Sequence, residues 1–247
     1  MFSANIARLP LWQVSQTNAR DVQPLEKTDS MLLNNIYEPF DISYIGSLLS
    51  LKQLPTDIVN YILGLAGCVL ECRAETNEYM SGSAPLNMRY LSLIIPFMDY
   101  SSLEILGNAA LILECVSNDQ GWASDAAELN HSYQGSWSWI EYEILKSDGS
   151  LLMPRQAMCY NFRAERNPRR HFQYITDQNI LSSLVRGAQI SLYLRAQYPG
   201  WANYASYGRI SLVSFVGLTY DIDITQELKK YCLRRINRNS SKQCCLS

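Results

Sequence analysis

The sequence predicts a mainly-β chain: an antiparallel β-sandwich of jelly-roll-like form, preceded by a short helical segment. Three observations carry this expectation. From residue 86 onward about seven or eight short runs of β-branched, aromatic and long aliphatic residues are separated by turn residues. Two of those runs alternate with a strand's period of two. Trp137 and Trp139 face one way and Ser136, Ser138 and Ile140 the other, while Ile190, Leu192, Leu194 and Ala196 oppose Ser191, Tyr193 and Arg195. Finally, helix caps are few, as expected of two packed antiparallel layers.

Residues 1–50 read as an irregular lead-in, broken by Pro10, Pro24 and Pro39 and ordered by packing of Trp12 and Phe40. Residues 54–67 then give a helix. Pro55 or Thr56 opens it, and Ile58, Ile62 and Leu65 recur at i, i+4 and i+7, flanked by Tyr61 and Leu63. This helical segment is expected over residues 51–82. Residues 75–85, rich in Ser and Gly, read as an exposed linker, so the sandwich is expected over 86–220. Strands are predicted at 90–97, 110–117, 136–146, 158–163, 171–176, 189–197 and 209–216. Asp148-Gly149 supplies the strongest turn signal, and Arg166-Asn167-Pro168-Arg169-Arg170 a basic turn. Residues 221–247 read as a basic tail, with a flexible stretch at 237–243.

Aromatic residues concentrate in two loops. Residues 118–142 hold three of the five tryptophans: Asp119-Gln120-Gly121 delivers Trp122, and Gln134-Gly135 leads into Trp137 and Trp139. Tyr198-Pro199-Gly200-Trp201-Ala202-Asn203-Tyr204 has the same design, with Pro and Gly fixing a bend beside a Trp. The two loops are expected to meet. Their tryptophans suit either of two roles, as core anchors or as the lining of a ligand or peptide groove. The expected surface comprises Asp119, Gln120, Trp122, Trp137, Trp139, Tyr198, Trp201 and Tyr204.

Two resemblances follow from these motifs. Leu54-Pro55-Thr56-Asp57-Ile58-Val59-Asn60-Tyr61-Ile62-Leu63 resembles the opening helix of an F-box, which supplies apolar contacts to the Skp1 adaptor of SCF ubiquitin ligases. The resemblance implies adaptor contacts at Leu54, Pro55, Ile58 and Ile62. It covers about fourteen residues, and the segment after it lacks the Leu-rich run and terminal Arg-x-Trp of the F-box. The combination of this helix with Asp119-Gln120-Gly121-Trp122, Gly135-Ser136-Trp137-Ser138-Trp139-Ile140-Glu141 and Tyr198-Pro199-Gly200-Trp201 is similar to a fungal family with no assigned activity. Some of its members carry ankyrin repeats, whose 33-residue period is absent here. That second resemblance spans roughly residues 54–216 and implies one folded unit.

Composition narrows the chemistry. A net charge of −2 and a pI near 5.7 give no global attraction to nucleic acid. Seven cysteines (68, 72, 115, 159, 232, 244 and 245) without regular spacing, and no secretory leader, point to reduced thiols in the cytosol or nucleus. Apolar runs fall far short of the roughly 20 residues that span a bilayer. Only His131 and His171 are available for acid–base or metal chemistry, and neither belongs to a ligand motif. Cys68 and Cys72 could share a helix face, yet lack a second ligand pair. No phosphate-cradling or nucleophile-elbow motif occurs. Asp119, Asp125, Glu128, Glu141 and Glu143 surround the aromatic stretch. Asp119 is expected to order its own turn, and Glu141 to pair with Arg195 or Arg209. No catalytic residue, cofactor or metal is expected.

The C-terminal Cys244-Cys245-Leu246-Ser247 matches a C-a-a-X prenylation box, with Ser favouring farnesyl on Cys244. Lys229, Lys230, Arg234, Arg235, Arg238 and Lys242 precede it, and a basic segment is the second signal that a single lipid chain needs. The expected function is therefore non-enzymatic: a protein-interaction module held on the cytoplasmic face of a membrane by farnesyl and basic tail. The alternatives are an F-box-like adaptor that engages Skp1 from the cytoplasm or nucleus, and a carbohydrate-binding module.

Overall fold

The computed structural model describes residues 37–97 and 102–243, the last ten of these by their backbone alone. Two helices open it, α1 (Pro39–Ser50) and α2 (Thr56–Leu65). Nine strands follow: β1 (Val69–Thr76), β2 (Met80–Ser83), β3 (Leu86–Ile94), β4 (Leu103–Asn118), β5 (Ser138–Leu145), β6 (Leu151–Tyr160), β7 (Arg169–Ile175), β8 (Gln189–Ala196) and β9 (Ala202–Leu218). A short α3 (Gln178–Leu181) precedes β8, and α4 (Ile224–Gln243) closes the described chain.

The strands form two antiparallel sheets. The first has the order β1-β9-β4-β7, with β2 also paired to β9; the second has the order β3-β8-β5-β6. The mainly-β, jelly-roll-like sandwich preceded by helices is thus the observed architecture. Its core lies between the sheets. Leu111, Leu113, Cys115, Ile210 and Leu212 of the first face Ile140, Tyr142, Ile144, Ile190, Leu192 and Leu194 of the second. Each such side chain stabilises the fold by about 1.5–3 kcal/mol through burial.

β4 and β9 overrun this core. At their far end a second apolar cluster joins Leu103, Val216 and Leu218 to Ile42 of α1 and to Val59 and Leu63 of α2. The Asn60 side chain locks α2 there: its Nδ2 donates to the Leu218 carbonyl (3.1 Å) and its Oδ1 accepts from the Leu218 amide (2.7 Å). Gly217 makes room for it, since a Cβ would stand 2.5 Å from Asn60 Cγ.

Several boundaries differ from expectation. The helical segment ends at Leu65, and residues 69–76 are a strand: Leu70, Cys72 and Ala74 pack inward while Arg73 and Glu75 lie along the sheet's edge. Their period of two is in the sequence, but the F-box resemblance hid it. Residues 75–85 are no linker, because Met80↔Ala205 through Ser83↔Ala202 pair β2 with β9. The sandwich begins at Val69, and Cys68 and Cys72 share no helix. Residues 39–50 are helical instead of irregular, Pro39 opening α1. The strand expected at 158–163 is β6, which starts at Leu151 and is kinked against β5 at three register shifts. The stretch 237–243, expected to be flexible, continues α4. Trp12 and the C-a-a-X box at Cys244 lie outside the described residues.

Candidate functional site

The end of the sandwich opposite the helices is organised around buried polar side chains. Asp119 sits where β4 leaves its sheet. Its Oδ1 accepts from the amides of Gly121 (2.7 Å) and Glu165 (3.2 Å), and its Oδ2 from that of Ala164 (2.7 Å). Burial raises its pKa, opposed by those three amides and by Arg163. Gly121 has φ +82°, a left-handed conformation that an L side chain rarely adopts. Gln120 joins the two aromatic loops: its Oε1 accepts from the Ala202 amide (3.0 Å) and its Nε2 donates to the Trp122 carbonyl (2.5 Å).

Arg163 is the pin of the long loop. Fully buried, it donates from Nε to Asn130 Oδ1 (3.0 Å) and from its other nitrogens to the carbonyls of Gly135 and Asp125, and pairs with the Asp125 carboxylate at 3.1 Å. Beneath it, Asn161 links Ser117 Oγ (2.7 Å), Ser138 Oγ (3.0 Å) and Asn203 Oδ1 (3.0 Å). Asn203 in turn donates to the carbonyls of Trp139 (2.7 Å) and Arg195 (3.0 Å), so the two sheets are tied together at this end.

On this frame the tryptophans separate by role. Trp201 is the core anchor, 5% exposed, with the Arg163 guanidinium 5.1 Å from its ring. The half-buried Trp139 of β5 and the exposed Trp137, one residue before it, instead lie on the outer side of the second sheet, opposite the buried Ser138 and Ile140. Tyr198 meets Trp137 edge-on at 4.7 Å, and Tyr160 lies 6.0 Å from Trp139. Trp139 Nε1 donates to Glu141 Oε1 (2.8 Å), whose other oxygen pairs with Arg195 Nε at 3.3 Å. Further along, Arg155 lies 3.8 Å from the Tyr193 ring centroid and binds Glu143 (2.7 Å) and Asn87 (2.9 Å). The result is an aromatic strip edged by fixed carboxylates and guanidinium groups.

Of the eight residues expected to form one surface, Trp137, Trp139 and Tyr198 are brought together. Trp122, 55% exposed, stands on the end loop beside Gly200. Tyr204 belongs to the other sheet, beside Tyr79 at 6.4 Å, because β9 is not part of the strip's sheet. Asp119, Gln120 and Trp201 build the frame and do not line the strip. Sequence reading missed Tyr160 and the paired register Trp139↔Arg195 and Trp139↔Tyr160, which only strand pairing reveals.

At the helical end, Val59 and Leu63 are the buried positions of α2, with Asn60 between them. Ile58, Tyr61 and Leu65 are 43%, 57% and 57% exposed, Ile62 and Leu54 are half-buried, and Pro55 is exposed at the helix start. The face that the sequence marks as apolar therefore points away from the sandwich. Among the described residues no group of three or more His, Cys, Asp or Glu is placed to hold a metal ion. Burial pushes the Cys159 thiol up to about 12 and raises that of Cys115. His171, buried against Tyr133, is lowered to about 4 by burial and by Arg169.

No family model matches the chain, and no curated protein matches it. Solved structures align at low similarity. One is the enzymatically active domain of tailspike protein 4 from bacteriophage CBA120 (TM-score 0.30, 8% identity, 61% of this chain and 19% of that one). Another is dimeric latent PorU from Porphyromonas gingivalis (TM-score 0.32, 13% identity, 60% of this chain and 13% of that one). A third is a xylan-binding module, CBM15 (TM-score 0.26, 12% identity, 56% of this chain and 97% of that one). The chain spans less than a fifth of the first two, and what those proteins do is not carried over from likenesses this distant.

Proposed function

We propose that the chain is a non-catalytic recognition module that binds a glycan on the strip formed by Trp137, Trp139, Tyr160 and Tyr198. The observation behind this reading is that Trp137, 37% exposed, and the half-buried Trp139 lie on the outer face of the second sheet, away from the core between the sheets. A sugar ring offers an apolar C–H face to an aromatic ring and hydroxyls to polar neighbours. Glu141, Arg195 and Glu143 stand beside the strip with their own geometry already fixed, the arrangement of a pre-formed site with few polar groups. Same-face residues on β5 are about 7 Å apart, so the strip suits a chain of rings over a single one.

A glycan array followed by calorimetry tests this. Trp137→Ala and Trp139→Ala should each weaken the selected glycan by about 30-fold, near 2 kcal/mol, with the thermal transition of the Trp137→Ala protein unchanged. Trp201→Ala would be a poor probe, since that ring is buried. If no glycan distinguishes native protein from the two variants, the reading falls.

The outward apolar face of α2 favours a second reading, an adaptor contact of the F-box kind through Ile58, Ile62 and their neighbours. Co-purification of Skp1 that is lost in the Ile58→Asp, Ile62→Asp double variant would support it. Failure to recover Skp1 under mild conditions would remove it.

A further inference from the structure

We infer that helix α4 is a docking surface for an anionic lipid bilayer, and that the sandwich stands on it with the aromatic strip turned away from the membrane. The helix carries six basic residues, Lys229, Lys230, Arg234, Arg235, Arg238 and Lys242, against one acid, Glu227. Glu227 is spent inside the fold: it is buried, accepts from Ser43 Oγ (3.3 Å) and holds Lys230 at 2.6 Å. Lys229 is exposed, and no acid follows Glu227 along the helix.

The first half of α4 is fixed to the helical cap. The Tyr231 ring stacks parallel to Tyr44 at 3.5 Å and to Phe40 at 5.1 Å between centroids. Ser43, buried, bonds Ser102 Oγ (2.9 Å) as well as Glu227, which ties α1 to the start of β4. A basic segment on a rigid joint holds its charge at one place on the molecule, where a free tail would spread it.

Charge alone would suit any polyanion. One large side chain decides for lipid: Leu233, on α4 itself, is exposed one turn after the exposed Lys229, whereas the exposed Tyr220 before the helix is flanked by the exposed acids Asp221 and Asp223. Apolar groups beside basic ones suit the boundary between headgroups and acyl chains. Nucleic acid would pair with the basic residues and leave Leu233 exposed. Because β4 and β9 run from the cap to the aromatic end, a bilayer at α4 is roughly 50 Å from the strip at about 3.3 Å per residue.

The test uses full-length protein made in bacteria, hence without a lipid, and sedimentation with vesicles. Vesicles of phosphatidylcholine with about 30 mol% phosphatidylserine should bind it at about 0.15 M salt. Vesicles of phosphatidylcholine alone should not. Binding should fall by at least about 100-fold in the Lys229→Glu, Arg234→Glu, Arg235→Glu, Arg238→Glu variant, since each basic residue lost costs roughly fivefold. Raising the salt should release the native protein, a readout that needs no variant. Absence of binding to the anionic vesicles, equal binding by the variant, or retention on nucleic acid in place of vesicles would overturn the proposal. Brominated lipid should leave the tryptophan emission of a bound Trp12→Phe protein unquenched; strong quenching would overturn the orientation.

Discussion

Arg163 heads the fully buried side chains by volume, and its neighbours show what one residue does for the aromatic end. It satisfies the carbonyls of Asp125 and Gly135 and the side chain of Asn130 at once, so three points of a loop with little regular structure are held by one guanidinium. Arg163→Met takes the one donor from all three acceptors and leaves those of Asn130 and Gly135 partly buried and unpaired. It should cost about 3 kcal/mol in urea denaturation and expose the 119–135 loop to limited proteolysis. His171 gives a pH signature. Its folded pKa of about 4 lies below the ordinary 6.5, so the unfolded chain takes up the proton first. The stability it contributes is fully present above pH 6.5 and is lost as pH falls toward 4. Between pH 7.5 and 5 that loss is about 2 kcal/mol, and His171→Gln should remove most of it from paired denaturation curves. Neither role was legible in the sequence. Arg163 read as no more than the last residue of a strand expected at 158–163, because burial of a charge depends on acceptors from a distant loop.

The elements differ in how openly the sequence announces them. β5 alternates cleanly, since one face meets the core and the other meets water or a fixed ion pair, and β8 departs from that pattern only at Ser191, which is buried beside Ser92. β1 also alternates, yet it follows α2 closely enough that a helical expectation swallowed it. The joint between α2 and β9 depends on Asn60, a residue that says nothing of its role in a helical period. Asn60→Ala strands both the amide and the carbonyl of Leu218, and should cost about 2 kcal/mol. Hydrogen exchange at Leu218 should quicken while β5 and β8 amides keep their protection. Equal protection at Leu218 would mean that the apolar cap holds the helix without Asn60.

Across the whole molecule, β4 and β9 are rods that join two unlike ends. One end carries outward tryptophans on a polar frame, and the other carries exposed apolar side chains on a helical cap. These ends are far enough apart to act independently. Combining Trp137→Ala with Ile58→Asp should therefore give stability and binding changes that add within about 0.5 kcal/mol, and coupling beyond that would show a connection through the strands. The sequence by itself determined the sandwich, the alternation of Trp137 and Trp139 against Ser138 and Ile140 though not which side meets the core, the turn built on Asp119 and the apolar face of α2, because periodicity and turn chemistry are local. Tertiary structure alone decided which aromatics share a surface, that Tyr160 joins them while Tyr204 and Trp201 do not, which face of α2 is buried, and that the basic tail is a docked helix. Those outcomes depend on strand order, register and the acceptors that distant segments supply, and residue spacing along the chain does not encode them.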